Sequence, residues 1–260
     1  MEIVHSRVLG QGSEHLIILH GYFGMGDNWK TLGMQFAKFY TVHLIDQRNH
    51  GRSFHSEEFD YELMCDDLKH YMDENQIQNA VILGHSMGGK TAMSFAVEHP
   101  ERVKSLIVAD IGPQNYPPHH ELILQALNSV DFIKVGSRQE IEEVLKKNIT
   151  EAGVRQFLMK SVYRVDKTSF GFRFNLSALT EHNNEVGAPL PSFTEYLGPA
   201  LFLKGGDSGY LSLSDTALIE AHFPNFEMVE IPNAGHWLHA ENPQDFLKAC
   251  FLFLGVEEIA

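Results

Sequence analysis

The chain has 260 residues, 43% of them hydrophobic and 21% charged, which suits one large core with room for an insertion. A formal net charge of −14 works against nucleic acid or an anionic membrane as partner, because phosphates would be repelled. No apolar run is long enough to span a bilayer, and the N-terminus enters a strand pattern (Ile3, Val4, Val8, Leu9) with no basic, cleavable leader. Cys65 and Cys250 stand far apart without metal-ligand spacing, so the expectation is two reduced thiols, a cytoplasmic protein and no bound metal.

In chain order, His15-Leu16-Ile17-Ile18-Leu19-His20 is a short apolar run that reads as a buried strand. A helical pattern around 29–39 follows, then the strand-like run from Tyr40 to Asp46. The next stretch, Asp46-Gln47-Arg48-Asn49-His50-Gly51, reads as a structural turn with its Arg and Asp paired internally. A helix is expected over 61–75, a strand at Ala80-Val81-Ile82-Leu83, a helix over 90–99 and a strand over 103–110. The rhythm resumes with Ala200-Leu201-Phe202-Leu203, a helix over 213–222, the alternating run Phe226 to Ile231, and a helix over 244–254. Strands alternating with helices imply an α/β fold, a mostly parallel sheet flanked by helices on both faces.

Between 113 and 197 the alternation stops. Leu122, Ile123, Ala126, Leu127 and Val130 recur at helical spacing, as do Ile141, Val144 and Leu145, then Val154, Phe157 and Leu158. Phe170, Phe172 and Phe174 alternate, as in a short strand or a wall. Prolines mark both ends of the stretch. The expected organisation is a core of residues 1–112 and 198–260 with a helical cap, 113–197, inserted between its halves.

Chemistry is concentrated at Gly84-His85-Ser86-Met87-Gly88. A G-x-S-x-G pentapeptide can arise by chance in a chain with 21 glycines, so its setting matters: an apolar strand before it and a helix behind it. That is the context of a nucleophile elbow, which lifts a serine hydroxyl above a sheet edge. A serine nucleophile needs a base, an acid to orient the base, and donors for the oxyanion. His236, in Ala234-Gly235-His236-Trp237 after the last strand, is the expected base; His239, in the same loop, is its competitor. His85 is expected to pack into the turn; for His119 and His120 the surface is the preferred position and lining the cap the alternative. The Met87 amide and, from the loop after the first apolar strand, the Tyr22 amide are the expected oxyanion donors, with Phe23 as alternative. For the acid, Asp110 ends an apolar strand at the sheet edge, where the site should lie.

His20-Gly21, the run from Asp46 to Ser53, Gly84 to Gly89, Asp110 to Pro113, Gln156 to Leu158, Arg173 to Asn175, Gly205 to Ser208, and Ala234 to Glu241 together resemble the α/β-hydrolase superfamily. The resemblance is closest to the bacterial YbfF-type esterases and spans nearly the whole chain. In most such hydrolases the acid follows the strand after the cap, as G-x-x-D. Here Gly205-Gly206-Asp207-Ser208 places Ser208 at that position and Asp207 one residue early. The resemblance therefore implies Asp110 as the acid, with Asp207 the alternative and Ser208 an auxiliary hydrogen-bonding member. It also implies a serine carboxylic ester hydrolase for short- to medium-chain acyl groups, thioesters included, that works without an organic cofactor.

Phe23, Leu122, Phe157, Leu158 and Trp237 are the expected pocket lining, joined by Tyr22 and Met87. The small-molecule ester or thioester would be the only partner apart from a possible second copy of the chain in a small homo-oligomer. Two other functions use the same fold. Carbon–carbon bond hydrolases and a lyase of menaquinone synthesis need cations for acidic substrates, and Arg155, Lys160, Arg164 and Arg173 offer charge in the cap. A non-catalytic binding protein on this fold would have lost a member of the triad.

Overall fold

The computed structural model describes residues 2–118, 120–167 and 169–256. The first half runs β1 (Ser6–Leu9), β2 (His15–Leu19), α1 (Lys30–Phe36), β3 (Thr41–Ile45), α2 (Tyr61–Glu74), β4 (Ala80–His85), α3 (Met87–Glu98) and β5 (Val103–Ala109). Then come α4 (Glu121–Asn128), α5 (Arg138–Leu145), α6 (Ala152–Lys160), β6 (Val162–Arg164), β7 (Phe170–Phe172) and α7 (Leu176–Glu181). The last third holds β8 (Ala200–Gly205), α8 (Thr216–His222), β9 (Phe226–Ile231), α9 (Leu238–Glu241) and α10 (Pro243–Phe253).

Among the described residues, seven strands form one sheet in the order β1-β3-β2-β4-β5-β8-β9. Only β1 is antiparallel to its neighbour. Central strands covered on both faces have no polar side to show, which is why β2, β4 and β8 read as continuous apolar runs. Along β2 the side chains alternate between two clusters. Ile17 and Leu19 join Leu68 and Met72 of α2 and Met93 and Phe95 of α3, while Leu16 and Ile18 join Phe36 of α1 and Phe246 and Cys250 of α10.

The segment between β5 and β8 is not purely helical: β6 and β7 pair as an antiparallel ribbon, with Val162 opposite Phe172. Phe170 and Phe172 form β7, and Phe174 stacks on Phe172 at 4.9 Å. This segment has its own apolar cluster, continuous with Tyr22, Phe23, Phe59, Met64 and Met87 of the sheet-bearing part. Hydrogen bonds fasten it there: Tyr22 Oη donates to the Leu179 carbonyl (2.6 Å), Tyr61 Oη to the Val186 carbonyl (2.6 Å), and Asn175 Nδ2 to the Ser56 carbonyl (3.0 Å).

The turn after β3 differs from expectation. Arg48 and Asp46 do not pair with each other. Asp46 accepts from the backbone N–H groups of Gly26 (2.6 Å) and Arg52 (2.9 Å), whereas Arg48 makes a bidentate, buried pair with Asp67 of α2 (2.6 and 2.9 Å). The two charges are each satisfied by a different element, so the turn ties β3 to both α2 and the loop after β2.

Candidate active site

Ser86 is the single residue between β4 and α3, held at φ 53° and ψ −118°. A non-glycine residue there is strained, and the reversal is possible only because strand and helix nearly touch. A Cβ on Gly84 would lie 2.1 Å from the Gly88 carbonyl oxygen, and one on Gly88 would lie 2.3 Å from the Leu19 carbonyl oxygen. The Ser86 N–H is fixed to the Ala109 carbonyl at 3.1 Å, so the apex of the turn is anchored to the end of β5.

Four strand ends converge on Ser86. His236, in the loop after β9, contacts Ser86 Oγ through Nε2 at 2.9 Å and Asp110 Oδ2 through Nδ1 at 2.8 Å. Asp110 follows β5, is fully buried and has φ 53°. Its Oδ1 accepts from the Gly205 N–H at 3.0 Å, and its Oδ2 also accepts from the Ser208 hydroxyl. Both oxygens of this buried carboxyl group thus have hydrogen-bond donors, as burial of a polar group requires. Asp207 is exposed and makes no hydrogen bond to His236 among the described residues; its own N–H is taken by the Ala234 carbonyl at 2.9 Å.

The loop after β2 lies against Ser86. Phe23, at φ 60°, spends its N–H on His50 Nε2 (3.2 Å), so the alternative oxyanion donor is already engaged. The Tyr22 amide has no such partner among the described residues, and the Met87 amide opens α3. Two buried imidazoles shape this loop. His20 donates from Nδ1 to the Gly21 carbonyl (2.9 Å) and accepts the Gln47 N–H at Nε2 (3.0 Å). His50 donates from Nδ1 to the Arg48 carbonyl (2.9 Å). Each accepts at its other nitrogen and must be neutral; burial agrees, pushing His20 down to about 4 and His50 to about 3.

A cavity of about 200 Å³ opens over Ser86, lined by residues of the β2 loop, the elbow, His236 and the segment between β5 and β8. Of the residues named from the sequence as pocket lining, Tyr22, Phe23, Phe157, Leu158 and Trp237 border this cavity. Leu122 does not: it is 66% exposed, and its neighbour Ile123 takes the inward place. Each residue turns a helix by about 100°, and the buried face of α4 is set by Ile123, Leu124 and Leu127, leaving Leu122 uncovered on the first turn. The Met87 side chain is buried in the apolar cluster and does not line the cavity. His120 is half-buried and lines it, stacked edge-on to Tyr22 at 5.0 Å, contrary to the surface position expected; His119 lies outside the described residues.

His85 packs into the turn as expected. Its Nε2 donates to the His236 carbonyl at 2.8 Å, and burial holds it well below the usual histidine range. His239 stacks on Trp29 at 4.0 Å rather than reaching Ser86, and burial, followed by the charge of His236, pushes it down to about 3. Tyr210 and Asn28 also line the cavity, and sequence patterns carried no signal for either. Among the described residues no lysine or arginine lines it: Arg155 is bound to the Ile149 and Thr150 carbonyls, Arg164 to that of Lys167, and Arg173 lies over Tyr163. Among the described residues no cluster of three or more His, Cys, Asp or Glu could hold a metal ion, and no helix is long and apolar enough to cross a membrane.

A parallel sheet with a serine elbow, a late histidine and a buried aspartate at its carboxyl edge defines a hydrolase-type fold. Residues 14–140 match the family model of the alpha/beta hydrolase fold. A putative esterase/lipase of Haemophilus influenzae is 38% identical over 240 residues, 92% of this chain and 82% of that protein. Esterase YbfF of Escherichia coli is 34% identical over 242 residues, 92% of each. A solved structure described as a marine microorganism esterase superposes with a TM-score of 0.95 at 38% identity, covering 97% of this chain and 100% of that one. The chain belongs to the α/β-hydrolase family. Within it, the chain is a YbfF-like carboxylic ester hydrolase.

Proposed function

We propose that Ser86 is the nucleophile, His236 the general base and Asp110 the orienting acid of a two-step acyl transfer, with Ser208 as an auxiliary member. The observation that carries this reading is one imidazole bridging Ser86 Oγ (2.9 Å) and a buried carboxylate (2.8 Å) on the floor of a cavity. His236 accepts the Ser86 proton as Oγ attacks the ester carbonyl. The Tyr22 and Met87 amides receive the oxyanion, each such donor contributing about 3–4 kcal/mol to the transition state. The His236 imidazolium, held by Asp110, then protonates the departing alcohol. Water attacks the acyl-enzyme with His236 again as base, returning Ser86 to its free form.

Residues 113–197 act in this reading as a cap that supplies one wall of the acyl pocket, through Ile123, Val154, Phe157 and Leu158. The substrate is a small-molecule ester. The modest, mainly apolar cavity favours short acyl groups, and a thioester of the same acyl group would present the same carbonyl to Ser86. A lining without cations is a poor match for the acidic substrates of the carbon–carbon bond hydrolases and the menaquinone-pathway lyase. Two buried, unpaired thiols fit a reducing compartment, and we place the enzyme in the cytoplasm.

A series of 4-nitrophenyl esters from acetate to dodecanoate, with Ser86→Ala as control, tests the reading. The expected result is turnover greatest for short to medium chains, falling steeply beyond them, and abolished in the variant. Turnover that survives in Ser86→Ala, or none on any ester, would overturn it.

A further inference from the structure

Tyr210, in the loop after β8, lies face to face with the His236 imidazole, ring centroids 3.8 Å apart and planes 14° apart. The other rings near His236 are tilted and farther: His85 at 4.8 Å and 42°, Trp237 at 6.1 Å and 59°. The Tyr210 backbone is fastened on both sides. Its N–H donates to Ser208 Oγ at 3.2 Å, and the Ser208 hydroxyl donates to Asp110 Oδ2, the oxygen that also faces His236. Its carbonyl accepts from Tyr116 Oη at 2.8 Å, and Tyr116 Oη in turn accepts the Gly112 N–H at 2.9 Å. The phenol ring is therefore held in place by the same loop that holds the acid.

We propose that Tyr210 is a positioning residue for His236: its ring confines the imidazole to the plane that reaches both Ser86 and Asp110, and its electron-rich face favours the imidazolium. The proposal rests on the reading of His236 as general base. As the Ser86 Oγ–carbonyl bond forms, the hydroxyl proton passes to His236 Nε2 and the carbonyl π pair moves to oxygen. Positive charge then develops over the Tyr210 face, and it is discharged when the proton passes on to the leaving alkoxide. A cation over an aromatic face, partly desolvated, corresponds to about 2- to 30-fold in rate. The groups facing His236 are Asp110 from the end of β5, His85 from β4, His239 from α9 and Tyr210 itself, while Lys160 of α6 acts on His239. The Tyr210 variants below change that residue alone, so the other groups are common to all of them.

The test is the pH profile of kcat/KM between pH 5 and 9 on 4-nitrophenyl butyrate for wild type, Tyr210→Phe and Tyr210→Leu, with Ser86→Ala alongside. Phenylalanine keeps the stack, and its profile should match wild type within about twofold. Leucine should lose roughly tenfold in kcat with KM little changed, and the acidic limb should move to lower pH by about half a unit, because the protonated imidazole has lost its ring. A leucine variant with the wild-type kcat and acidic limb overturns the proposal, and so does an equal loss in both variants, which would assign the effect to the hydroxyl. If circular dichroism shows the leucine variant unfolded, Tyr210→Met is judged by the same outcomes. Activity that survives in Ser86→Ala would instead overturn the underlying reading of the triad.

Discussion

Two neighbouring strands of this sheet, β5 and β8, are each followed by an aspartate, and the two ends are built differently. After β5, Asp110 is fully buried and receives the Gly205 N–H, the Ser208 hydroxyl and the His236 ring. After β8, Asp207 is exposed, and the residue beside it, Ser208, turns inward to serve Asp110. The contrast shows what favours Asp110 over Asp207 in the proposed role of triad acid: enclosure from water, with a hydrogen-bond donor on each carboxylate oxygen. The loop after β8 supplies a donor to a carboxylate that sits on the neighbouring strand.

Breaking the β5 side should have the greater consequence. Asp110→Asn keeps the shape but removes the carboxylate that, on the proposed mechanism, stabilises the imidazolium, and kcat on a 4-nitrophenyl ester should fall about 10³- to 10⁴-fold. Ser208→Ala removes one hydrogen bond to that carboxylate, and a loss of about 10- to 100-fold in kcat is expected, with KM nearly constant. Asp207→Asn, at an exposed site, should stay within about twofold of wild type in the same assay. A collapse of Asp207→Asn with Asp110→Asn unaffected would reverse the comparison.

Burial governs stability as well as chemistry. His20, His50 and His239 are buried, and their folded values of about 4, 3 and 3 lie below the unfolded value of 6.5. Below about pH 6.5 the unfolded chain therefore binds protons that the folded chain refuses, so stability falls as pH drops from 6.5 towards 4. Each imidazole adds up to about 1.4 kcal/mol per pH unit to that slope. Thermal unfolding followed between pH 7.5 and 4.5 should show a declining midpoint, and His50→Gln should flatten the decline. A midpoint independent of pH over this range would contradict the neutral, buried state of these rings.

Much of this was legible in the sequence, for identifiable reasons. Parallel strands covered on both faces leave apolar runs, so β2, β3, β4, β5 and β8 stand out, the edge strand β9 shows by its alternation instead, and a glycine-flanked serine between strand and helix marks the elbow. Prolines flank the segment between β5 and β8, where the strand–helix rhythm breaks. What escaped depends on contacts between distant residues. Nothing in the spacing of Arg48 told it to seek Asp67 on α2, 19 positions away, instead of Asp46. Helical periodicity placed Leu122 and Ile123 in one group, but only the packed neighbours decide which of two adjacent residues faces inward. His120 reads as a surface residue in preference to a cap-lining one, and Tyr210 carried no signal, since its place depends on a loop packing against His236.

Mapping the adduct of a fluorophosphonate probe by mass spectrometry tests the assignment of Ser86 most directly. The account predicts one equivalent of phosphonyl group on the peptide containing Ser86, with esterase activity lost in proportion to labelling and no labelling in Ser86→Ala. A probe attached to another residue, or full activity with Ser86 completely modified, would contradict it.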